Sequence, residues 1–101
     1  MLRLKIHKAY RRIVAVSDPE LLGKRFAEDK LQLEIKEDFY GGELLEEERV
    51  LKILTAENAD DSTFNFAGKK SVEAGRKAGI IGKGKKSVII IQGIPHAISL
   101  L

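Results

Sequence analysis

The stretch Leu2-Arg-Leu-Lys-Ile-His7 alternates apolar and polar side chains, and the β-branched stretch Arg12-Ile-Val-Ala-Val16 follows it closely. Alternation with a period of two predicts a half-buried strand, and a short run rich in valine and isoleucine predicts a second one. The link Lys8-Ala-Tyr-Arg11 is short enough to join two antiparallel strands. We therefore expect the fold to start from a hairpin that forms part of a sheet.

Downstream of this hairpin, predicted helices and strands alternate. Helices are predicted at about residues 17–26 (with Ser17 or Asp18 as N-cap), 44–57 and 68–78, and strands at 31–36, 63–66, 87–92 and 97–101. The apolar run 87–92 is typical of a strand covered on both faces, whereas 97–101 is expected at a sheet edge. We predict an α/β fold, a single small domain over residues 1–101 with a mixed β-sheet, an N-terminal antiparallel hairpin and covering helices.

The composition excludes several classes of protein and of site. The chain has 101 residues, 44% hydrophobic and 33% charged, so it is neither a disordered tail nor a collagen-like chain. It has no cysteine and only two histidines, which excludes thiolate sites and a multi-histidine metal site. We therefore expect no metal and no cofactor. No apolar run reaches the roughly 18 residues of a membrane span, so we expect a cytoplasmic protein with no membrane partner.

Charge is segregated along the chain. Residues 1–27 hold seven Lys or Arg against two Asp or Glu, residues 28–61 hold four against twelve, and residues 62–101 hold seven against one. Two cationic ends around an acidic middle favour a surface that meets a polyanion. The alternative is that each segment only solvates its own face of the fold.

The sequence Gly68-Lys-Lys-Ser71 is the sharpest local feature. It lies where a predicted strand passes into a predicted helix, and the free amides and positive end of a helix favour an anion there. Lys69 and Lys70 add full charges, so these four residues could cradle a phosphate. The pattern is not that of a P-loop, because Thr63 stands where that motif has its first glycine. The alternative is an ordinary helix start with solvated lysines.

A second cationic segment, Gly82-Lys-Gly-Lys-Lys86, carries Lys83, Lys85 and Lys86 on a glycine-rich backbone. Lysines that neutralise phosphates give affinity for a nucleic acid without reading its sequence. No aromatic residue is interleaved with these lysines, which argues against a site for single strands, where bases stack on rings. The alternative is a solvated loop.

Two further segments are candidates for a ligand pocket. Tyr40, Gly41 and Gly42 are consecutive, and adjacent glycines either let a ligand approach bare backbone or form a plain turn. His96 follows Pro95 in a turn of small residues, where it either contacts a ligand or only hydrogen-bonds its own loop. The sequence contains no Ser-His-Asp order and no closely spaced pair of histidines, so we identify no catalytic residues.

Several of these stretches together resemble a known family. The specific motifs are Phe39-Tyr-Gly-Gly-Glu-Leu44 and Gly93-Ile-Pro-His-Ala97, and the likeness covers nearly the whole chain. They resemble the archaeal family of domain of unknown function 424. The resemblance implies a small archaeal cytosolic protein of no established activity, and the low Met, Asn and Gln content agrees with a thermophilic source. The family's motif positions, whose role is unknown, are Tyr40, Gly41, Gly42, Gly68, Pro95 and His96.

Three functional hypotheses follow. The first is a non-enzymatic RNA- or ribosome-associated protein that uses its Lys- and Gly-rich surface. The second is a site for a phosphate-bearing small molecule or nucleotide, with or without catalysis, in one concave pocket formed by the Gly68 turn, the Tyr40–Gly42 segment and His96. The third is an interaction module whose acidic middle docks a basic protein.

Overall fold

The computed structural model describes residues 1–82 and 88–99, and its largest feature is a six-stranded sheet. In the order in which they lie side by side, its strands are β5 (Glu43–Leu45), β1 (Leu2–His7), β2 (Ile13–Ser17), β6 (Thr63–Ala67), β8 (Ile94–Ser99) and β7 (Ile89–Ile91). A separate hairpin consists of β3 (Arg25–Glu28) and β4 (Leu31–Glu34). The helices are α1 (Glu37–Tyr40), α2 (Glu47–Ala59) and α3 (Lys69–Lys77).

The predicted mixed sheet and its N-terminal hairpin are confirmed. β1 and β2 are antiparallel, with Leu4 opposite Val16. β2 and β6 are the one parallel pair among the described strands, and parallel neighbours need a long crossover. That crossover contains the β3–β4 hairpin, α1, β5 and α2. The carboxyl ends of β2 and β6 consequently lie side by side, with Ser17 opposite Ala67.

The two faces of the sheet have different covers. On one face, α2 and α3 pack on a core that includes Val16, Phe64 and Phe66, all fully buried. On the other, which we call the α1 face, α1 and the β3–β4 hairpin cover a second core that includes Ala15 and Ala67. Side chains alternate between the faces along each strand, which is why neighbouring residues of β2 belong to different cores.

The predicted helix over residues 17–26 is wrong. Only a short 3-10 turn forms, at Pro19–Leu21, and the chain then enters β3. Gly23 adopts a positive φ of 83° and donates its N–H to the carbonyl of Ile35 at 2.7 Å. The backbone of residues 23–28 pairs with that of residues 31–35, so this segment has hydrogen-bond partners without forming a helix. A helix of so few turns is only marginally stable by itself.

The C-terminal strands are also placed differently from the prediction. β7 is the edge strand, and its residues Ile89 and Ile90 are 50% and 60% exposed, so this run is not covered on both faces. β8 lies inside, between β6 and β7, although the segment from residue 97 is predicted to be an edge strand. Gln92 and Gly93 form a two-residue turn with φ values of 49° and 78°, and this turn brings β8 back against β7, while the other edge of β8 pairs with β6.

The other predicted elements are confirmed with shifted ends. The long helix runs over Glu47–Ala59 and not 44–57, because residues 43–45 pair with β1 as a short strand. The predicted turn at residues 39–42 contains the last residues of α1. Among the helices that the structure describes, none combines the length and the apolar character needed to cross a membrane.

Replacement of Gly42 by alanine is expected to destabilise the fold. The new Cβ would overlap the carbonyl group of Leu4, because the chain that enters β5 runs directly against β1. Overpacking of this kind costs about 1–3 kcal/mol in the free energy of unfolding. Gly82→Ala is the matched control, since a Cβ at Gly82 meets no atom of residues 1–82 or 88–99 within 4 Å. Urea unfolding measures both variants, and equal stabilities would contradict the close approach at Gly42.

Candidate site on the α1 face of the sheet

The two motif segments meet on the α1 face. Tyr40 ends α1 and His96 lies in β8, with 3.5 Å between the Tyr40 hydroxyl oxygen and His96 Nε2. Tyr40 is buried in the core that also contains Ala67, whereas His96 is partly exposed. This polar pair therefore reaches from the apolar interior to the surface.

The register of the sheet explains this arrangement. Arg3, Ser17, Ala67 and His96 are paired in succession across β1, β2, β6 and β8. Paired residues point to the same face, so these four form one line across the α1 face. We call this line the polar row, because all its members except Ala67 are polar. Residues that are far apart in the chain thereby become neighbours.

Burial sets the protonation of the Tyr40–His96 pair. It raises the pKa of Tyr40 to about 12. It lowers the pKa of His96 below the ordinary value of a histidine. Both groups are neutral at neutral pH, because burial disfavours the charged form of each. A neutral imidazole has one donor and one acceptor nitrogen, so His96 can accept one hydrogen bond and donate another.

Side chains of β1 hold α1 over the sheet. Lys5 Nζ donates to the carbonyl of Asp38 at 2.8 Å, and His7 Nε2 donates to the carbonyl of Phe39 at 2.8 Å. The His7 ring also stacks on the Phe39 ring, with 4.8 Å between centroids. Lys5 and His7 therefore anchor α1 to β1.

The backbone N–H groups at the start of α3, after the Gly68 turn, are not free to bind a phosphate. Asp18 accepts hydrogen bonds from the backbone N–H groups of Lys70 (3.2 Å) and Ser71 (2.8 Å) and from Ser71 Oγ (2.9 Å). Gly68 has a φ of 109°, and a Cβ there would overlap the Asp18 carboxylate. The predicted phosphate cradle at Gly68, Lys69, Lys70 and Ser71 is therefore corrected, because the protein's own carboxylate caps α3.

The Gly68 turn nevertheless lies beside His96. The N–H of Gly68 donates to the carbonyl of Pro95 at 2.9 Å. The three predicted segments are thus neighbours, but neither of two grooves on the described surface is the single concave pocket predicted for them. Two grooves, of about 370 and 360 Å³, are lined by Lys69 and Lys70 in one case and by Gly42 in the other, and neither is lined by His96.

The exposed lysines of α3 stand among carboxylates. Lys69 and Lys70 line one groove together with Lys77, Glu47 and Glu73. The pair of Glu47 and Lys77, 2.7 Å apart, lowers the pKa of the carboxyl and raises the pKa of the amine. The other lysines predicted to bind RNA lie outside the described residues: Lys83, Lys85 and Lys86.

The charge segregation along the chain is partly lost in space. Arg12, from the N-terminal cationic segment, pairs with Glu57 at 3.1 Å and Asp60 at 3.0 Å, both from the acidic middle. Exposed ion pairs add little stability, but they offset the field of each charge. Within residues 1–82 and 88–99, no cluster of three or more acidic or imidazole side chains could hold a metal ion.

Three residues of this region carry no recognisable sequence motif for a site: Arg3, Ser17 and Asp18. The sequence predicts Asp18 at the start of a helix over 17–26, whereas in the fold it caps α3, which begins more than 50 residues later. Its position directly after a strand is the signal that could have identified it. Polar groups at the carboxyl ends of parallel strands gather at one edge of a sheet.

Asp18→Ala is expected to lower the free energy of unfolding by about 1–3 kcal/mol, because it leaves buried donors without an acceptor. Asp18→Asn keeps a capping oxygen and should lose less. Added phosphate should restore more stability to Asp18→Ala than to the wild type, since the uncapped amides then bind an anion. Thermal unfolding in phosphate and in chloride at equal ionic strength measures this. An equal effect of phosphate on both proteins would show that Asp18 does not occupy an anion site.

The comparisons with known proteins agree with the sequence motifs. No curated protein matches the chain. A crystal structure of an uncharacterized conserved protein from Methanopyrus kandleri has a similar fold, with a TM-score of 0.79 and 25% sequence identity over 96% of this chain and 88% of that chain. Residues 7–100 match the family described as "Protein of unknown function (DUF424)", and the chain therefore belongs to this family.

Proposed function

We propose that this protein binds a small phosphate-bearing molecule, such as a nucleotide, on the α1 face beside Tyr40 and His96. The observation that carries the proposal is the contact between the two family motifs, whose polar tips lie 3.5 Å apart although 56 residues separate them. Small-molecule sites combine an apolar lining with a few convergent polar groups, and Tyr40 and His96 are such a pair beside an apolar core. The partly exposed His96 supplies the group that a ligand meets first.

The local chemistry suits a ligand with acceptor oxygens. A neutral imidazole donates through one ring nitrogen, and protonation adds a second donor and a positive charge. Burial disfavours that charge in the free protein, whereas an anion beside the ring favours it. Gly41 and Gly42, next to Tyr40, do not add bare backbone to this site, because a Cβ at either position would overlap a carbonyl of the chain itself, that of Glu37 or of Leu4.

Titration with AMP is expected to move the ring signals of His96 in NMR spectra and to raise its pKa toward the ordinary value. Tyr40→Phe removes the hydroxyl at the same site and should weaken binding about fivefold. Tyr10→Phe is the matched control, because Tyr10 is fully exposed and should leave the affinity unchanged. An AMP-independent His96 signal would contradict the proposal.

The lowered pKa of His96 also predicts how the stability of the fold depends on pH. Because the pKa of His96 is lower in the folded than in the unfolded chain, the unfolded chain takes up the extra proton. Stability is therefore expected to fall as the pH drops through the ordinary histidine value of about 6.5, and bound AMP should reduce this loss.

RNA binding is a second candidate function, favoured by the exposed, adjacent Lys69 and Lys70 at the start of α3. A polyanion binder loses affinity linearly in log salt concentration. We expect the double variant Lys69→Glu and Lys70→Glu to weaken RNA binding and to flatten that slope, whereas Lys30→Glu, in the exposed β3–β4 turn, should do neither. Absence of RNA binding at about 50 mM salt would remove this candidate.

A further inference from the structure

We propose that Arg3 and Ser17 bind the phosphate group of the ligand and so form the anion subsite of the polar row. This inference rests on the proposed function. The amides of Lys70 and Ser71 are occupied by Asp18, so the phosphate of a ligand that extends along the polar row from His96 needs other donors.

Arg3 and Ser17 supply such donors. Arg3 Nε and Ser17 Oγ are buried and have no hydrogen-bond partner within the described part of the chain. Ser17 is fully buried. Both atoms carry a hydrogen that can be donated, and buried donors without a partner are rare in folded proteins because each one costs free energy. A ligand oxygen between them would satisfy both.

The two donors are also neighbours. Arg3 and Ser17 are directly paired across β1 and β2, and they share the α1 face because Leu4 and Val16 enter the opposite core. Directly opposite residues of antiparallel strands have Cβ atoms about 5 Å apart, so both side chains can reach one phosphate group. Arg3 Nη1 donates to the carbonyl of Gly42 at 3.3 Å, which fixes the guanidinium beside the motif segment.

The charge of Arg3 remains available to an anion. Arg3 makes no ion pair within residues 1–82 and 88–99, in contrast to Arg12. Asp18 follows Ser17 directly, but its carboxylate is turned toward the start of α3 and held there by three hydrogen bonds. Arg3 is only partly buried, which gives a ligand access to the subsite from the surface.

Ser17→Ala tests the subsite in the free protein. It removes a buried hydroxyl that has no partner, so we expect the thermal unfolding midpoint to rise. Ser62→Ala is the matched control, because it removes a buried hydroxyl that donates to Glu57 at 2.9 Å and should lower the midpoint. A lower midpoint for Ser17→Ala would show that its hydroxyl is already satisfied, and would overturn the inference.

Titration of the full chain with inorganic phosphate tests binding. We expect the Arg3 Nε–H signal to move in the wild type. Ser17→Ala and Arg3→Lys, which keeps the charge but loses the Nε–H, should each raise the dissociation constant about tenfold. Ser62→Ala should leave it unchanged.

The outcomes separate the two proposals. If AMP moves the His96 signals but Ser17→Ala and Arg3→Lys bind phosphate as tightly as the wild type, the subsite is wrong and the proposed function stands. If AMP leaves the His96 signals unchanged, the proposed function and the subsite that rests on it are both overturned.

Discussion

The carboxylate of Asp18 is the contact on which the centre of this fold depends. Asp18 directly follows β2, and its carboxylate caps α3, the helix that follows β6. One side chain thereby connects the carboxyl ends of the two parallel strands to the start of α3. The N–H of Asp18 also donates to the carbonyl of Ala67 at 3.0 Å, which extends the strand pairing by one residue. Gly68 must then pass close to the carboxylate, and its N–H bonds to Pro95. The neighbouring His96 is placed by the pairing of β6 and β8, in which it lies opposite Ala67.

Side chains of β1 alternate between the two faces of the sheet, and the two sets make different contacts. Leu2 and Leu4 enter the core under α2 and α3. Arg3, Lys5 and His7 point the other way, and each donates to a carbonyl in or next to α1. A helix of one turn has little stability of its own, so these polar contacts and the buried Tyr40 side chain hold it in place.

Local sequence patterns were sufficient to predict the elements with clear periodicity, such as β1, β4 and α2. They failed where contacts with a distant segment determine the structure. Ser17 to Glu20 has good helix-start chemistry, but the bond from Gly23 to Ile35 draws the chain into a hairpin. The apolar run 87–92 predicts a strand covered on both faces, but β7 lies at the edge of the sheet, where Ile89 and Ile90 are exposed. The Tyr40–His96 pair depends on the register of β6 and β8, which no local pattern contains.

The fold also changes what the net charge of +3 means for a ligand. Cations of both basic segments, Arg12 and Lys77, pair with carboxylates of the acidic middle, so the segregation along the chain is partly lost on the surface. Arg3 is the contrasting case, with a buried Nε that has no partner among the described residues. RNA binding draws on rows of exposed cations, whereas a buried donor pair admits a single anionic group. The pattern of paired and unpaired cations therefore favours a small anion over a polyanion.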